Sequence, residues 1–452
     1  MTKEEEWLGT ASPAKLIFML AVPSVAAQFI NVLYNIVDRM YIGHIPEEGA
    51  AALTGVGLTF PIITIISAFS AFAGAGGAPL AAIELGRERR DAAERILGTA
   101  AALLVCFAVV LTAVFWICKE PLLYVFGASS ATIPYALEYL SVYLLGTIFV
   151  QLSLGLNMFI TCQGHAKTAM LSVIIGAVLN IILDPIFIFL FDMGVTGAAL
   201  ATVISQAASA VWVILFLCSR RSAFKLRRRY FALDLHQAGR IVALGVSPFI
   251  MQATESLIVI VFNTQLQKYG GDLYVGSMTI LQSLMQLVFV PVMGFTQGTQ
   301  PIISFNYGAG KTDRVRQTVR IMLAVSLCIT AAGWLAANLF PHVLVRIFTS
   351  DEELLAVSAR MLPLFMGGVW IFGGQTACQS AFVGLGQAKI SLFLALLRKV
   401  IILIPLAYVL PCFIGLAGIY LAEPAADITA AVTTMTLFAL RFKKILAAPV
   451  KD

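Results

Sequence analysis

An asparagine and an aspartate stand four residues apart inside a long apolar run, in the string Asn180-Ile181-Ile182-Leu183-Asp184-Pro185. Four residues is about one helical turn, so the two side chains share a face. Backwards along that face lie Gly176 and Ser172, a narrow polar stripe of small residues. Pro185 has no amide hydrogen, so the carbonyl of Ile181 loses its helical partner and adds an oxygen to the set. A charge at bilayer depth costs roughly 2.5–3.5 kcal/mol, which keeps such residues in interior cavities and pathways or in hydrogen bonds to a neighbouring helix. Two chemistries suit this group. A carboxylic acid taken out of water can hold a proton near neutral pH. The oxygens of Asp184, Asn180 and a second acid, Asp38, could instead hold sodium, a hard cation that takes oxygen ligands.

Other polar residues interrupt apolar stretches in similar patterns. Gln28, Asn31, Asn35 and Asp38 follow spacings of three, four and three, one helical stripe above a kink at Pro23. Asp38 adjoins Arg39, so an ion pair at the membrane interface is the plainer alternative. Glu255 follows Pro248 and Gln252, with Asn263 beyond it and no basic residue in its own span. Glu423 and Asp427 are again four apart, and the adjacent Arg398 and Lys399 are expected to pair with them. Gln282 with Gln286, and Gln375 with Gln379, share faces that could line a second cavity or bond between helices. Asn157 is a further polar residue expected in a substrate cavity.

The rest of the inventory excludes several classes. Ser, His and Asp never cluster, and there is no glycine-rich phosphate loop, so transport powered by this chain's own ATP hydrolysis is not expected. The seven cysteines form no C-x-x-C pair and read as small core residues, and the four histidines lack ligand spacing. Neither a cofactor nor a structural metal is expected, and an ion gradient is the natural energy source.

What must position these residues is a membrane scaffold. Hydrophobic residues make up 60% of the chain and charged ones 12%, with mean hydropathy +0.91; soluble domains run near 25% charged. Twelve apolar runs are long enough to cross a bilayer at about 20 residues each, the fourth being 132–160 and the tenth 355–382. Met1 to Glu6 is acidic and no small-residue cleavage pattern follows, so no removable signal segment is expected. The net charge of +6 invites a nucleic-acid reading. The basic residues instead sit in short loops on one side, which predicts a multi-pass protein with both termini cytoplasmic.

The chain also repeats itself. "PLAAIELGRERRDA" from Pro79 matches "PIISFNYGAGKTDR" from Pro301, and "GHAK" at Gly164 matches "GQAK" at Gly386, each pair 222 residues apart. Six spans per copy is an even number, so the copies insert the same way up, as in transporters built from parallel repeats. The expected division is an amino-terminal lobe at 1–219, a solvated basic linker at 220–235 lying near anionic headgroups, and a carboxyl-terminal lobe at 236–452.

The strings "AVPSVAAQFINVLYNIVDRMYIG", "NIILDPIFIFLFDMGVTGAALATVISQ" and "QGTQPIISFNYGAGK" together resemble the multidrug and toxic compound extrusion (MATE) transporters over nearly the whole chain. "LLRKVIILIP" and "LAEPAAD" resemble that family's MepA-like branch. The resemblance implies an all-α membrane protein of twelve transmembrane helices in two pseudo-symmetric six-helix bundles forming a V. It implies antiport of organic cations and drugs against H+ or Na+ by alternating access at the plasma membrane, as a monomer. Carried over by position, the coupling-cation site is Asp38, Asn180 and Asp184 with Thr202, and Glu255 matches an acid of the seventh helix. Members that use that acid often pair it with an Asp on the tenth helix, and Leu355–Phe382 has no acid. Glu423 or Asp427 would have to substitute. Competing readings are a flippase for a lipid-linked precursor, which would need cavity cations that only Arg398 and Lys399 could supply, and an intramembrane lipid-modifying enzyme.

Overall fold

The computed structural model describes residues 3–46 and 49–447, so Met1 and Thr2 of the acidic opening lie outside the described residues. After a short helix at Lys3–Thr10, the crossing helices are α1 (Pro13–Gly43), α2 (Gly49–Gly86) and α3 (Arg90–Val125). Next come α4 (Ile133–Leu145 and Thr147–Cys162), α5 (Ala166–Pro185) and α6 (Gly194–Cys218). The second set is α7 (Leu235–Tyr269), α8 (Asp272–Gly308) and α9 (Thr312–Leu339). It ends with α10 (Glu352–Phe365 and Val369–Gly384), α11 (Ala388–Ile414) and α12 (Leu416–Ala447). Ten of these are single helices long and apolar enough to span a membrane, and the count is 12 with each bent pair taken as one span. No strand occurs among the described residues.

The fourth and tenth runs, each counted as one span, are bent by 58° and 52°. Glycine explains both. A β-carbon on Gly146, at the break in α4, would lie 2.4 Å from the Val203 side chain of α6. One on Gly368, at the break in α10, would lie 2.8 Å from the backbone of Pro424 and from the β-carbon of Asp427 in α12. Each break thus carries a helix backbone into contact with a neighbour, as small residues do in membrane bundles. Two π turns add local widening, at Ile186–Leu190 directly after Pro185 and at Leu397–Leu403 within α11.

Packing divides the chain into two compact units whose boundaries run through helices. One holds residues 1–10 and 26–252, the other 11–25 and 253–452. The cuts fall just past Pro23 in α1 and Pro248 in α7, where each helix lacks one backbone bond. In the second unit the start of α1 lies on α8, where β-carbons on Gly294 and Gly298 would come within 2.6 Å of the Val25 and Ala21 α-carbons. In the first unit the start of α7 lies on α2, where a β-carbon on Gly245 would sit 2.2 Å from the Phe72 carbonyl oxygen. Gly245→Ala is therefore expected to cost about 1–3 kcal/mol of stability through forced backbone movement. Gly239→Ala on the same helix, where nothing lies within 4 Å, should be close to neutral; melting temperatures of the two detergent-solubilised variants check this.

The basic linker is anchored at its first half and exposed along most of the rest. The Gln163 side-chain oxygen accepts from the Ser222 hydroxyl (3.0 Å) and the Ala223 amide (2.7 Å). Phe224 is fully buried edge-on to Phe159. Glu94 takes the Lys225 amide at 3.2 Å and the Arg227 guanidinium at 2.7 Å. These contacts satisfy buried polar groups at the ends of α3 and α4, leaving Arg227, Arg228 and Arg229 exposed.

Candidate functional site

In the first unit, five helical segments converge on one acidic centre. Asp184 and Asn180 project from α5 just ahead of the π turn, 0% and 1% exposed, and Asp38 from α1 is 9% exposed. The Asn180 amide donates to Asp184 Oδ1 at 3.1 Å and to the Thr202 hydroxyl of α6 at 3.4 Å. The Asp38 and Asp184 carboxyls lie within hydrogen-bonding reach of each other. Two facing carboxyls can bond only through something positive between them, a proton or a metal cation. Asp38 Oδ1, Asp184 Oδ2 and Asn180 Oδ1 are buried, and none accepts from a protein donor. Arg39 does not form the interfacial pair with Asp38; its guanidinium lies 4.3 Å over the Phe60 ring.

Several surrounding groups were not singled out from the sequence. Tyr139, buried on the first segment of α4, lies beside Thr202. Tyr34 lies beside Gln206, whose side-chain oxygen accepts from the Ser153 hydroxyl at 2.6 Å. A signal existed, because Tyr34 is one turn before Asp38 and Gln206 one turn after Thr202. The stripe itself folds as read, with the small-residue side of α5 against α6: Ser209 donates to the Ser172 carbonyl at 2.8 Å, and a β-carbon on Gly176 would meet the Ser209 hydroxyl at 2.5 Å.

Other candidates spend their polar groups elsewhere. The Asn35 amide donates to the Asn31 carbonyl of its own helix at 2.6 Å, and Gln28 is half-buried on the same stripe. Asn157 bridges α4 and α5, donating to the Ala169 carbonyl (3.2 Å) and accepting from Ser172 (3.1 Å). Gln375 and Gln379 are buried and bond each other at 3.3 Å. Gln282 is half-buried and Gln286 exposed on α8.

In the second unit the charges gather on α7, α11 and α12. Arg398 donates from Nε to Asp427 (2.8 Å) and from its terminal nitrogen to Glu423 (2.8 Å), and its plane lies 4.3 Å over Phe372. Lys399 does not join that pair as expected; its ammonium bonds Glu255 of α7. The π turn accounts for this division, since it buries the consecutive residues Arg398 and Lys399 while their charges engage different helices.

Long apolar helices with acids buried inside them make this a polytopic membrane protein of the kind that passes solutes. The chain belongs to the MatE family, whose model matches residues 23–186 and 248–409. It is 25% identical over 443 residues to the multidrug export protein MepA of Staphylococcus aureus strain MSSA476, covering 97% of this chain and 96% of that protein. The MepA of Staphylococcus haemolyticus is 24% identical over 405 residues, covering 90% and 88%. Among solved structures, a MATE crystal structure in the bent conformation superposes with a TM-score of 0.92 at 23% identity, over 99% of this chain and 100% of the other. That likeness shows the fold.

Proposed function

We propose that the protein is a secondary active multidrug exporter that exchanges organic cations for H+ or Na+ by alternating access. The observation that carries this reading is the facing pair of buried carboxyls, Asp38 and Asp184, whose inner oxygens find no protein donor. A site of this kind must load a small cation to be stable and must release it to change partner, which is what coupling requires. The close facing of the two carboxyls favours a proton shared between them. The oxygens of Asp38, Asp184, Asn180 and Thr202 would serve sodium in its place. The similarity to MepA supports drug-like cargo, and the excess of basic residues in one set of loops supports cytoplasmic termini in a cell membrane. One chain holds a complete acidic centre, so a monomer suffices. The flippase reading is disfavoured because Arg398 and Lys399 are both engaged by acids, which leaves neither of the two to hold a pyrophosphate.

Proteoliposomes loaded with a fluorescent organic cation test the proposal. An imposed inward proton gradient is expected to accelerate efflux, and a sodium gradient at fixed pH to do so only if sodium is the ion. Efflux indifferent to both gradients would overturn the reading.

A further inference from the structure

A cleft of about 770 Å³ opens in the first unit where α2 ends, α3 begins and the linker leaves α6. Three membrane-crossing helices stop at this level, at Gly86, Arg90 and Cys218. Five cations line the cleft, Arg89 and Arg90 at the start of α3 and Arg220, Lys225 and Arg227 on the linker, against the acids Glu88, Asp91 and Glu94. Several of these charges are already matched. Arg227 pairs with Glu94 at 2.7 Å, Arg89 reaches Glu84 at 3.9 Å, and Arg229 from outside the cleft takes Asp91 at 3.2 Å. The Arg220 guanidinium and the Lys225 ammonium pair with no acid among the described residues. The backbone that carries them is held by other groups: Ser222 and Ala223 on Gln163, and the Lys225 amide on Glu94. Further along, the Tyr230 carbonyl oxygen lies 2.2 Å from where a β-carbon on Gly98 of α3 would stand. Two unmatched cations therefore sit on a frame fixed before anything binds, which lowers the cost of ordering a ligand there.

We propose that this cleft binds the headgroup of an anionic phospholipid, with Arg220 and Lys225 as the ligands of its phosphate. The volume lies in the range of small-ligand sites. A guanidinium offers phosphate a planar fork of donors and an ammonium a compact point charge, and both are strong partners for its oxygens. The surplus of cations disfavours a cationic ligand. A feature of α6 favours a lipid over a soluble phosphate. Ile204, Val211, Leu215 and Cys218 follow spacings of seven, four and three, so they share one face, and all four are exposed. Apolar side chains exposed on a crossing helix suit acyl chains. A lipid whose chains lie along this face brings its headgroup to the end of α6, where Arg220 stands two residues past Cys218. The excess of basic residues at this end favours the cytoplasmic leaflet, whose anionic lipids attract such segments. The inference draws on neither the coupling ion nor the cargo.

Native mass spectrometry of the detergent-solubilised full chain tests this, with phosphatidylglycerol as the probe and zwitterionic phosphatidylcholine of the same acyl chains as the comparison. The expected result is one phosphatidylglycerol retained per chain, half-saturating at a concentration at least about tenfold lower than phosphatidylcholine does. Arg220→Gln with Lys225→Gln should remove that preference. Lys167→Gln with Arg228→Gln takes away two exposed cations that do not line the cleft, and should leave the preference in place. Glu88→Gln removes an exposed acid from the cleft and should tighten phosphatidylglycerol binding about two- to fivefold, a gain that misfolding cannot produce. Arg220 and Lys225 break no ion pair when replaced, so their double variant should melt with the unaltered protein when lipid is absent. Equal retention of the two lipids by the unaltered protein, or equal losses of preference in the two double variants, would overturn the proposal. So would displacement of phosphatidylglycerol by glycerol 1-phosphate at a similar concentration, which would make the cleft a site for soluble phosphate.

Discussion

Asp184→Asn is expected to reduce gradient-driven efflux of an organic cation to the rate of protein-free liposomes, a loss of at least about tenfold, while the protein folds and is extracted in normal yield. The side chain keeps its shape, and an amide oxygen can still accept the Asn180 bond now seen at 3.1 Å. What disappears is the second carboxyl. Asp38 would then face an amide that can donate to it directly, so no proton or cation is needed between them. The coupling step has no ion to carry, and binding and release of cargo lose their dependence on the gradient. Asp38→Asn should give the same result, because Arg39 is engaged with Phe60 and no ion pair is broken. The measurement is efflux under an imposed proton gradient, normalised to the amount of reconstituted protein. Efflux retained in Asp184→Asn, with its gradient dependence unaltered, would place the coupling ion elsewhere.

The sequence exposed this centre because Asn180 and Asp184 stand one turn apart in a run with no other charge, and one-turn spacing survives in any helical packing. Asp38 followed from its stripe by the same rule. Tyr34 could have been found by the same one-turn rule, whereas Tyr139 carried no comparable signal, since a tyrosine in an apolar span is equally at home in a core or at an interface. The twelve runs were legible as crossings from length and hydropathy. The breaks at Gly146 and Gly368 were not, because they are set by how closely Val203 and Pro424 approach from elsewhere in the chain. The same limit applies to the linker, whose clamp depends on Gln163 and Glu94, residues that looked unremarkable alone. Pairing in the second unit was legible only in part. Glu423 and Asp427 were matched to Arg398 by proximity of their helices, but the choice of Glu255 by Lys399 spans 144 residues and turns on a local π widening.

That second cluster sets the other large effect. Arg398→Met is expected to destabilise the folded protein by about 3–5 kcal/mol, because it leaves Glu423 and Asp427, both buried, without their cation. Met nearly fills the arginine's volume and can still lie on Phe372, so little of the loss should come from packing. The sign of the pH dependence follows from which form of the acids the fold then tolerates. With the guanidinium gone, the stranded carboxyls are accommodated when protonated, and the stability they contribute is present at low pH and lost as pH rises. The melting-temperature deficit against the unaltered protein should therefore be small near pH 5 and large near pH 8. Replacing the acids as well, with Glu423→Gln and Asp427→Asn, removes the uncompensated charge and should restore most of the stability at both pH values, since a neutral hydrogen-bonded cluster avoids the desolvation cost. The Lys399 to Glu255 pair remains neutral in that triple variant and needs no further change. If the triple variant melts no higher than Arg398→Met alone, the loss arises from the arginine's stacking on Phe372 and not from buried charge, and the cluster is held together by shape before electrostatics.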